Sequence, residues 1–493
     1  MLFWLCSAVL VAATLAGGGT HNGFYGDVFI QLLSIALLVS VLWNCFDKDR
    51  LNQPGTRLFI LICATASLVT IIEVFPLPFD YWPGIEVFLP PAASPTVTGE
   101  GSGVHTLSIV PQTSWAAAAS LITPVAIFGA VIRFRLRERL IICSILSGLA
   151  ALSLVLGFLQ VAQGPGSVLR FYEFTNPLEA VGFFANRNHF AAQLYVTLIL
   201  AAFWLMIAVN SALEQKGALQ THSILWVTAA ALFIVADVSG LALARSRAGI
   251  FLAIAGLAGI TLMILVQPRK ARRSNHAFQL TRRRALLVTI AFAVIFATQL
   301  GLGRILTRFE GDQLEDLRVA LNRTVLAAVP KVLPFGSGLG SLVPVYSAAE
   351  RTEDVFEGYA NRAHDDFAEL LLETGVLGAG VIAGFLFWFF RCSFRVWRPA
   401  DPQGGSVERL LERSATIIIA LLLIHSLVDY PLRTGALSAV FAFFCAILAA
   451  PAPAEPVETA QHQPRRGANR DKAPIRPVER WDPQADWPKE WQS

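Results

Sequence analysis

Long apolar runs alternate with short polar segments along the chain, and this alternation predicts its secondary structure. A transmembrane helix needs about 20 predominantly apolar residues, so the runs predict an all-α, polytopic helix bundle of about 12 spans. The predicted spans cover residues 2–17, 25–46, 58–75, 112–132, 140–162, 189–209, 223–243, 248–266, 285–302, 371–390, 414–429 and 434–450.

The composition also indicates a membrane protein. Hydrophobic residues make up 55% of the chain, charged residues 15%, and the mean hydropathy is +0.56. A soluble protein carries about a quarter charged residues, so these values exclude an ordinary soluble domain.

The first apolar run, residues 2–17, is as short as the core of a signal peptide. No basic residue precedes it and residues 17–19 form a poor cleavage site, so we predict a helix there.

The basic residues predict how the bundle is oriented. If the N-terminus is cytoplasmic, the inner segments hold 27 of the 39 lysine and arginine residues, in agreement with the positive-inside rule. We then expect both termini in the cytoplasm and one long polar loop, residues 303–370, on the periplasmic face. The basic runs anchor this topology against membrane lipids, so the net charge of +4 does not indicate nucleic-acid binding.

The composition divides the chain into two regions. Residues 1–450 form the predicted transmembrane bundle, whereas residues 451–493 are rich in Pro, Glu, Gln and Arg and predict a disordered cytoplasmic tail.

None of the six cysteines falls in a predicted outer loop, so no disulfide framework is expected. The sequence contains neither a nucleotide-binding P-loop nor a metal-type His/Cys cluster. We therefore expect no cofactor. The energy for the protein's activity would then come from the substrate itself or from a gradient across the membrane.

Four polar segments carry the candidate chemistry, and the first is Asn186-Arg187-Asn188 at the predicted outer start of the sixth span. In one interpretation Asn188 caps the helix and Arg187 extends to the membrane interface. In the other, the helix N-terminus, the arginine and the two amides together form an anion site.

The second segment, residues 244–249, is a predicted outer turn of a few residues that contains Arg245 and Arg247. Two arginines on the outer face run against the positive-inside bias. In one interpretation the two arginines form ion pairs with acidic residues such as Asp237. In the other, Arg247 lies at the membrane surface and binds a phosphate, because its planar guanidinium group can contact two phosphate oxygens at once.

The third segment lies in the long loop, where residues 312–329 predict an amphipathic helix with Arg318 and Arg323 off its apolar face. The apolar face comprises Leu314, Leu317, Leu321 and Val325. His364 follows, at the start of the segment that leads into the tenth span. An imidazole exchanges a proton near neutral pH, so His364 is a candidate general base, with a capping or surface role as the alternative. We expect Asp365 and Asp366 to orient the ring or to serve as helix-start acids.

The fourth segment contains His425, Asp429 and Arg433. His425 and Asp429 are four residues apart, which predicts that they share one helix face near the outer end of the eleventh span. Ionisable residues at membrane depth indicate function by default. A structural His–Asp pair that closes the helix against its neighbour is the alternative.

In this order, the four segments resemble the O-antigen ligase and O-antigen polymerase-like superfamily of membrane glycosyltransferases, over about residues 140–450. The most specific part is a His-x10-Gly-x2-Gly pattern, met by His364, Gly375 and Gly378. The Ser-Arg-Ala-Gly turn at residues 246–249 also matches, as does the Arg318 helix followed by Pro-Phe-Gly-x-Gly-x-Gly.

The resemblance implies a type C glycosyltransferase-like bundle in the bacterial inner membrane. Such enzymes transfer a glycan from undecaprenyl diphosphate to an acceptor hydroxyl, on lipid A-core or on a growing glycan, without metal or nucleotide. His364 would then be the general base, and Arg247 and Arg318 would stabilise the leaving diphosphate. The other candidates would bind substrate: Asn186, Arg187, Asn188, Arg245, Arg323, His425, Asp429 and Arg433.

Three alternatives to a ligase remain open at this point, and one of them is a non-catalytic partner in polysaccharide export. The same motifs fit a polymerase of a surface polysaccharide or exopolysaccharide repeat unit. A small-anion transporter is the third alternative. The chain does not show matching broken helices in two halves, which many carriers have, and its charged residues gather at one face instead of the midplane.

Overall fold

The computed structural model describes residues 1–20, 25–43, 51–75, 106–214, 221–266, 313–350, 361–398 and 407–451. The secondary structure in these ranges is helical, and none of the described residues forms a strand. The helices are α1 Leu2–Ala16, α2 Tyr25–Trp43, α3 Pro54–Val74, α4 Pro111–Ser120, α5 Ile122–Val131, α6 Leu136–Gln163, α7 Arg187–Glu214, α8 Thr221–Ala244, α9 Arg247–Val266, α10 Gln313–Val332, α11 Leu342–Ala349, α12 Asp366–Trp397, α13 Val407–His425, a 3₁₀ helix Pro431–Arg433 and α14 Gly435–Ala449.

Among the described residues, 8 helical segments are long and apolar enough to cross a membrane: α2, α3, α4 with α5, α6, α7, α8, α9 and α12. Helices α1 and α14 are apolar but shorter. Each predicted span overlaps a helix, except residues 285–302, which lie outside the described residues. The polytopic, all-helical architecture is therefore confirmed, while the total of 12 spans, the periplasmic loop and the tail stay predictions.

The eleventh predicted span, residues 414–429, has the wrong boundaries. Helix α13 runs from Val407 to His425, because its charged first turns pack against the rest of the protein at one end and the chain turns away at the other. At that second end the carbonyl of Ser426 accepts a hydrogen bond from the Asp366 N–H, 2.8 Å away. Asp429 consequently lies beyond the helix, in the connection to the 3₁₀ helix.

Helix α7 is the centre of the main hydrophobic core. Its side chains are almost completely buried from Phe190 to Phe203, because helices pack around its whole circumference. Helix α8 makes the most extensive contact with α7, and α6, α9 and α13 also pack against it. The first turn of α7 is consequently held inside the bundle, where its polar side chains meet those of other helices.

A second, smaller core joins α10 and α11 to the start of α12. Leu321 and Val325 of α10 are buried, as the predicted amphipathic pattern requires, and they pack with Val345 of α11 and Leu372 of α12. The side chains of Leu314 and Leu317 lie outside the described residues. This small core places Arg318 on α10 near the beginning of α12.

A glycine-rich turn, residues 336–340, fixes α10 and α11 against the membrane helices. The N–H groups of Gly338 and Gly340 donate to the carbonyl and the carboxylate of Glu373, at 2.7 and 2.9 Å. The Leu339 N–H donates to the carboxylate of Glu73 on α3, at 2.9 Å. These three amides are therefore occupied by a carbonyl and two carboxylates of the protein itself and do not form an anion site.

Helix α12 is kinked at Gly375, where the backbone has a φ of 58°. This left-handed conformation favours glycine, and a Cβ atom at this position would collide with the carbonyl of Pro334. At Gly378 a Cβ atom would collide with the Thr374 hydroxyl. Both glycines of the His-x10-Gly-x2-Gly pattern are thus required by close packing.

We predict that Gly375→Ala destabilises the protein, whereas Gly380→Ala does not. The left-handed conformation alone costs a non-glycine residue about 1–2 kcal/mol, and the contact with Pro334 adds to it. Gly380 lies in the same helix with nothing near its Cβ position, so alanine there should be neutral or slightly stabilising. Thermal unfolding of both purified variants in detergent measures the difference, and equal melting temperatures would contradict the role assigned to the kink.

Candidate functional site

Asp429 is the centre of the candidate site. It is fully buried, and its Oδ1 atom lies 3.0 Å from Nδ1 of His364, which is 65 residues away in sequence. Its Oδ2 atom accepts a hydrogen bond from the side-chain amide of Asn188 on α7. The Tyr430 N–H donates to Oδ1 at 3.0 Å. Three segments that are far apart in the chain thus converge on one carboxylate.

The surroundings of Asp429 keep it ionised. Burial alone would raise the pKa of Asp429, but the hydrogen bond and charge of His364, with charges of His189 and Arg318, hold that pKa well below its usual range. An ionised carboxylate only accepts hydrogen bonds, so Nδ1 of His364 is the donor. The Nε2 atom of His364 is then left with its lone pair and can accept a proton.

His364 has a strained backbone. Its φ is 54°, which is uncommon for a residue with a side chain, and such strain is often found at functional sites. Its side chain is 24% exposed, so a substrate can reach it. The ring packs edge-on against Tyr430, with the centroids 5.0 Å apart. The imidazole of His364 is therefore held on one side and open on the other.

The expectation that Asp365 or Asp366 orients His364 is wrong. Asp365 is the N-cap of α12 and accepts hydrogen bonds from two backbone N–H groups of that helix. Asp366 bonds to Arg433 and Ser426, at 3.0 and 2.9 Å. Both acids are used by the helix start, and the orienting carboxylate comes from Asp429.

The predicted pairing of His425 with Asp429 on one helix face is also wrong. His425 is the last residue of α13, and its Nδ1 atom lies 3.0 Å from the hydroxyl of Tyr195 on α7. The connection after the helix rotates Asp429 away from that face, towards His364. His425 is nevertheless buried beside the site.

The Asn186-Arg187-Asn188 segment contributes its amides and not its charge. Asn186, instead of Asn188, caps α7 by accepting a hydrogen bond from the Asn188 N–H at 2.8 Å. Arg187 pairs with Glu179 at 2.7 Å in a mostly buried salt bridge. Asn188 is free of the capping role and therefore holds Asp429.

The turn at residues 244–249 is as short as predicted. Only Arg245, with a φ of 51°, and Ser246 separate α8 from α9, and the Ser246 hydroxyl accepts a hydrogen bond from the Gly249 N–H at 3.0 Å. Arg247 is half-buried in the first turn of α9. Gly249 packs against Ala191, so the start of α9 lies beside the start of α7.

The two arginines of α10 have different surroundings. Arg318 is half-buried, and its charge acts on Asp429 and on the two buried histidines His189 and His425. Arg323 is exposed. Arg318 is therefore the arginine of this helix that belongs to the site.

Arg433 belongs to a separate cluster of buried charges. Its guanidinium lies 3.0 Å from Asp366, 3.1 Å from Glu369 and 3.3 Å from Glu373. Burial would lower the pKa of Arg433, but these carboxylates raise it above its usual value. Arg362, two residues before His364 in the chain, pairs with Glu369 at 2.9 Å. The cluster therefore fixes the start of α12 and, with it, the position of His364.

Several residues of this region were not predicted from the sequence. His189 is fully buried, and within the described residues neither ring nitrogen has a hydrogen-bond partner. It contacts Tyr430, which adjoins His364 as well. Glu369 and Glu373 could have been found, because two acids four residues apart on an apolar span indicate a buried polar face.

We predict that Arg433→Ala destabilises the fold. Removing one partner leaves buried carboxylates uncompensated, which costs about 3–5 kcal/mol. Arg323→Ala is the matched control, because exposed side chains change stability by only about 0.5 kcal/mol. Thermal unfolding in detergent provides the comparison. If Arg433→Ala melted like the control and lost only substrate affinity, the substrate-binding role predicted from the sequence would be correct instead.

Comparisons with known proteins agree with the sequence motifs. Residues 229–383 match a protein-family model described as O-antigen ligase. A search of curated proteins gives no match. The matched segment contains Arg247, Arg318 and His364. The resemblance to the O-antigen ligase family is therefore confirmed: residues 229–383 of this polytopic membrane protein are similar to that family's model.

Proposed function

We propose that the chain transfers a glycan from undecaprenyl diphosphate to an acceptor hydroxyl, with lipid A-core as the acceptor, at the periplasmic face of the inner membrane. The family match supports membrane glycosyl transfer in general. The observation that carries the proposal is the His364–Asp429 pair, with a contact of 3.0 Å and the charge of Arg318 close by. A base and a fixed cation are the two groups that such a transfer requires.

His364 acts as the general base in this proposal. Because its Nδ1–H is held by Asp429, its Nε2 atom takes the proton of the acceptor hydroxyl. The acceptor oxygen forms a bond to the anomeric carbon of the glycan, while the bond from that carbon to the carrier diphosphate breaks. Asp429 stabilises the imidazolium that forms, as the buried carboxylate does in catalytic triads.

Arg318 and Arg247 stabilise the leaving group. Negative charge develops on the carrier diphosphate as the glycosidic bond breaks, and fixed guanidinium groups lower the energy of that state. Helix α9 begins at Arg247, so its backbone N–H groups and the positive end of its dipole also favour an anion there. Exchange of the activated glycosyl–diphosphate linkage for a glycosidic bond supplies the driving force, so the proposed reaction needs no nucleotide. The guanidinium groups take the charge-stabilising role that a metal ion has in other transferases.

We predict that His364→Ala folds but transfers glycan roughly 10²–10⁴-fold more slowly, because this is the usual contribution of general acid–base catalysis. Asp429→Asn should also lose activity, since an amide cannot stabilise the imidazolium. Purified protein, lipid-linked donor and lipid A-core in detergent with EDTA provide the assay. Activity of His364→Ala within a few-fold of the natural protein would remove it as the base, and products with several repeat units on the carrier would indicate a polymerase.

The ionisation of Asp429 can be tested by a control measurement that does not depend on transfer activity. Its pKa lies well below the usual value in the folded protein, so its charge contributes stability above pH ~3.9, the unfolded value, and the contribution is lost as the pH falls through the folded value. The melting temperature of the natural protein should therefore exceed that of Asp429→Asn at pH values above about 5. The difference should narrow below about pH 4.

We predict that Arg318→Lys loses most activity, whereas Arg323→Lys keeps it. A lysine is a point charge that cannot make the planar, two-pronged contact of a guanidinium with phosphate oxygens. Arg323 lies on the same helix but is exposed, so it tests whether any loss comes from α10 itself. Arg247→Lys should behave like Arg318→Lys. A fully active Arg318→Lys would show that a diffuse positive charge suffices, which contradicts direct contact with the diphosphate.

A further inference from the structure

We propose that the α6–α7 loop, residues 164–186, is a membrane-inserting element that places its apolar side chains in the lipid interface beside the site. This interaction surface is separate from the catalytic proposal, because it follows from how the loop is folded. The loop is helix-free but fully described, and it joins the ends of two neighbouring candidate spans.

Two polar side chains of this loop, Ser167 and Glu179, are buried, whereas Glu173 is exposed and can reach the headgroup region. The side chain of Gln160 on α6 donates to the carbonyls of Leu169 and Gly182, at 3.0 and 2.9 Å, and accepts from the Gly182 N–H at 2.9 Å. The guanidinium of Arg170 donates to the carbonyls of Asn176 and Glu179, at 2.7 and 2.9 Å. Four carbonyls of the loop are therefore satisfied within the protein, as contact with lipid requires of buried backbone groups.

Four large apolar side chains of the same loop face outwards. Val168 is 86% exposed, Phe171 57%, Phe174 75% and Leu178 60%. A loop in water normally has the opposite arrangement, since large apolar side chains gain free energy by leaving water. Four such residues within eleven positions form a contiguous stretch of chain that needs an apolar partner.

The membrane is the partner that the position of the loop supports. Helices α6 and α7 pack side by side and the loop connects their adjacent ends, so it lies where the membrane surface must be. The last turns of α6 already expose Leu152, Val155 and Leu159 to the bilayer, spaced three and four residues apart on one face. The exposed residues of the loop continue this lipid-facing surface along the chain. Aromatic side chains are enriched at that depth of a bilayer.

Insertion of the loop would set the depth of the site. Asn186 is the last residue of the loop, and Asn188, two residues later, holds Asp429. The site would then lie at the level of the lipid headgroups, where the phosphates of a lipid-linked donor are found. This last step rests on the proposed function, whereas insertion of the loop does not.

The test measures the depth of spin labels on the full chain in lipid nanodiscs. Labels are attached at Val168→Cys and Phe174→Cys, in a background whose native cysteines are replaced by alanine and whose melting temperature is unchanged. Both positions are highly exposed, so the labels should not disturb packing. The quantity compared is the collision rate with oxygen, which concentrates in lipid, relative to that with a water-soluble nickel complex.

Two control positions define the scale. Val155→Cys lies on the exposed face of α6, and Ser347→Cys is exposed on α11, which is not a candidate span. We expect the loop labels to give a ratio several-fold above that of Ser347→Cys and close to that of Val155→Cys. A ratio equal to that of Ser347→Cys would show a solvated loop. Low collision with both reagents, together with spin–spin broadening, would show an interface between two copies of the chain. Either result would overturn the proposal, whatever the transfer activity of the protein.

Discussion

The hydrogen bond between His364 and Asp429 is the contact on which the site depends. A carboxylate with no exposure to solvent is costly unless each oxygen has a partner, and here His364, Asn188 and the Tyr430 N–H supply the partners. Each partner comes from a different part of the chain. Satisfying one buried charge therefore fixes α7, the start of α12 and the connection after α13 relative to one another, and it also selects the tautomer of the base.

Buried charges in this region divide into two groups with different consequences. The cluster around Arg433 is closed, because its carboxylates are paired within the protein and support the start of α12. The group around Asp429 is open on one side, since His364 keeps a partly exposed ring. A closed cluster contributes rigidity, whereas an open one can exchange a proton with a substrate. The two lie next to each other because Asp366 and His364 are close neighbours in the chain.

The sequence predicted the helices well because apolar periodicity is a local property. It also selected Arg318 and His364 as candidates through motifs in the long polar loop, and Asp429 as an ionisable residue at the end of an apolar run. The partner of His364 could not be predicted from spacing, because 65 residues separate it from Asp429 and no local rule links them. The error at His425 has the same origin. Four-residue spacing implies a shared face only while the helix continues, and α13 ends at His425.

The number of residues between His364 and the two glycines, Gly375 and Gly378, fixes a distance in the structure. Helix α12 begins two residues after His364, and it continues to the kink at Gly375 as one regular segment. At 1.5 Å per residue this segment is about 14 Å long. One end is fixed by the contact of His364 with Asp429, and the other by the glycine-rich turn that packs on Gly375. The number of residues between the histidine and the glycines thus sets how far the base stands from the turn that positions α10, and therefore from Arg318. An insertion in this segment would rotate the base by about 100° per residue around the helix axis, away from the carboxylate that orients it.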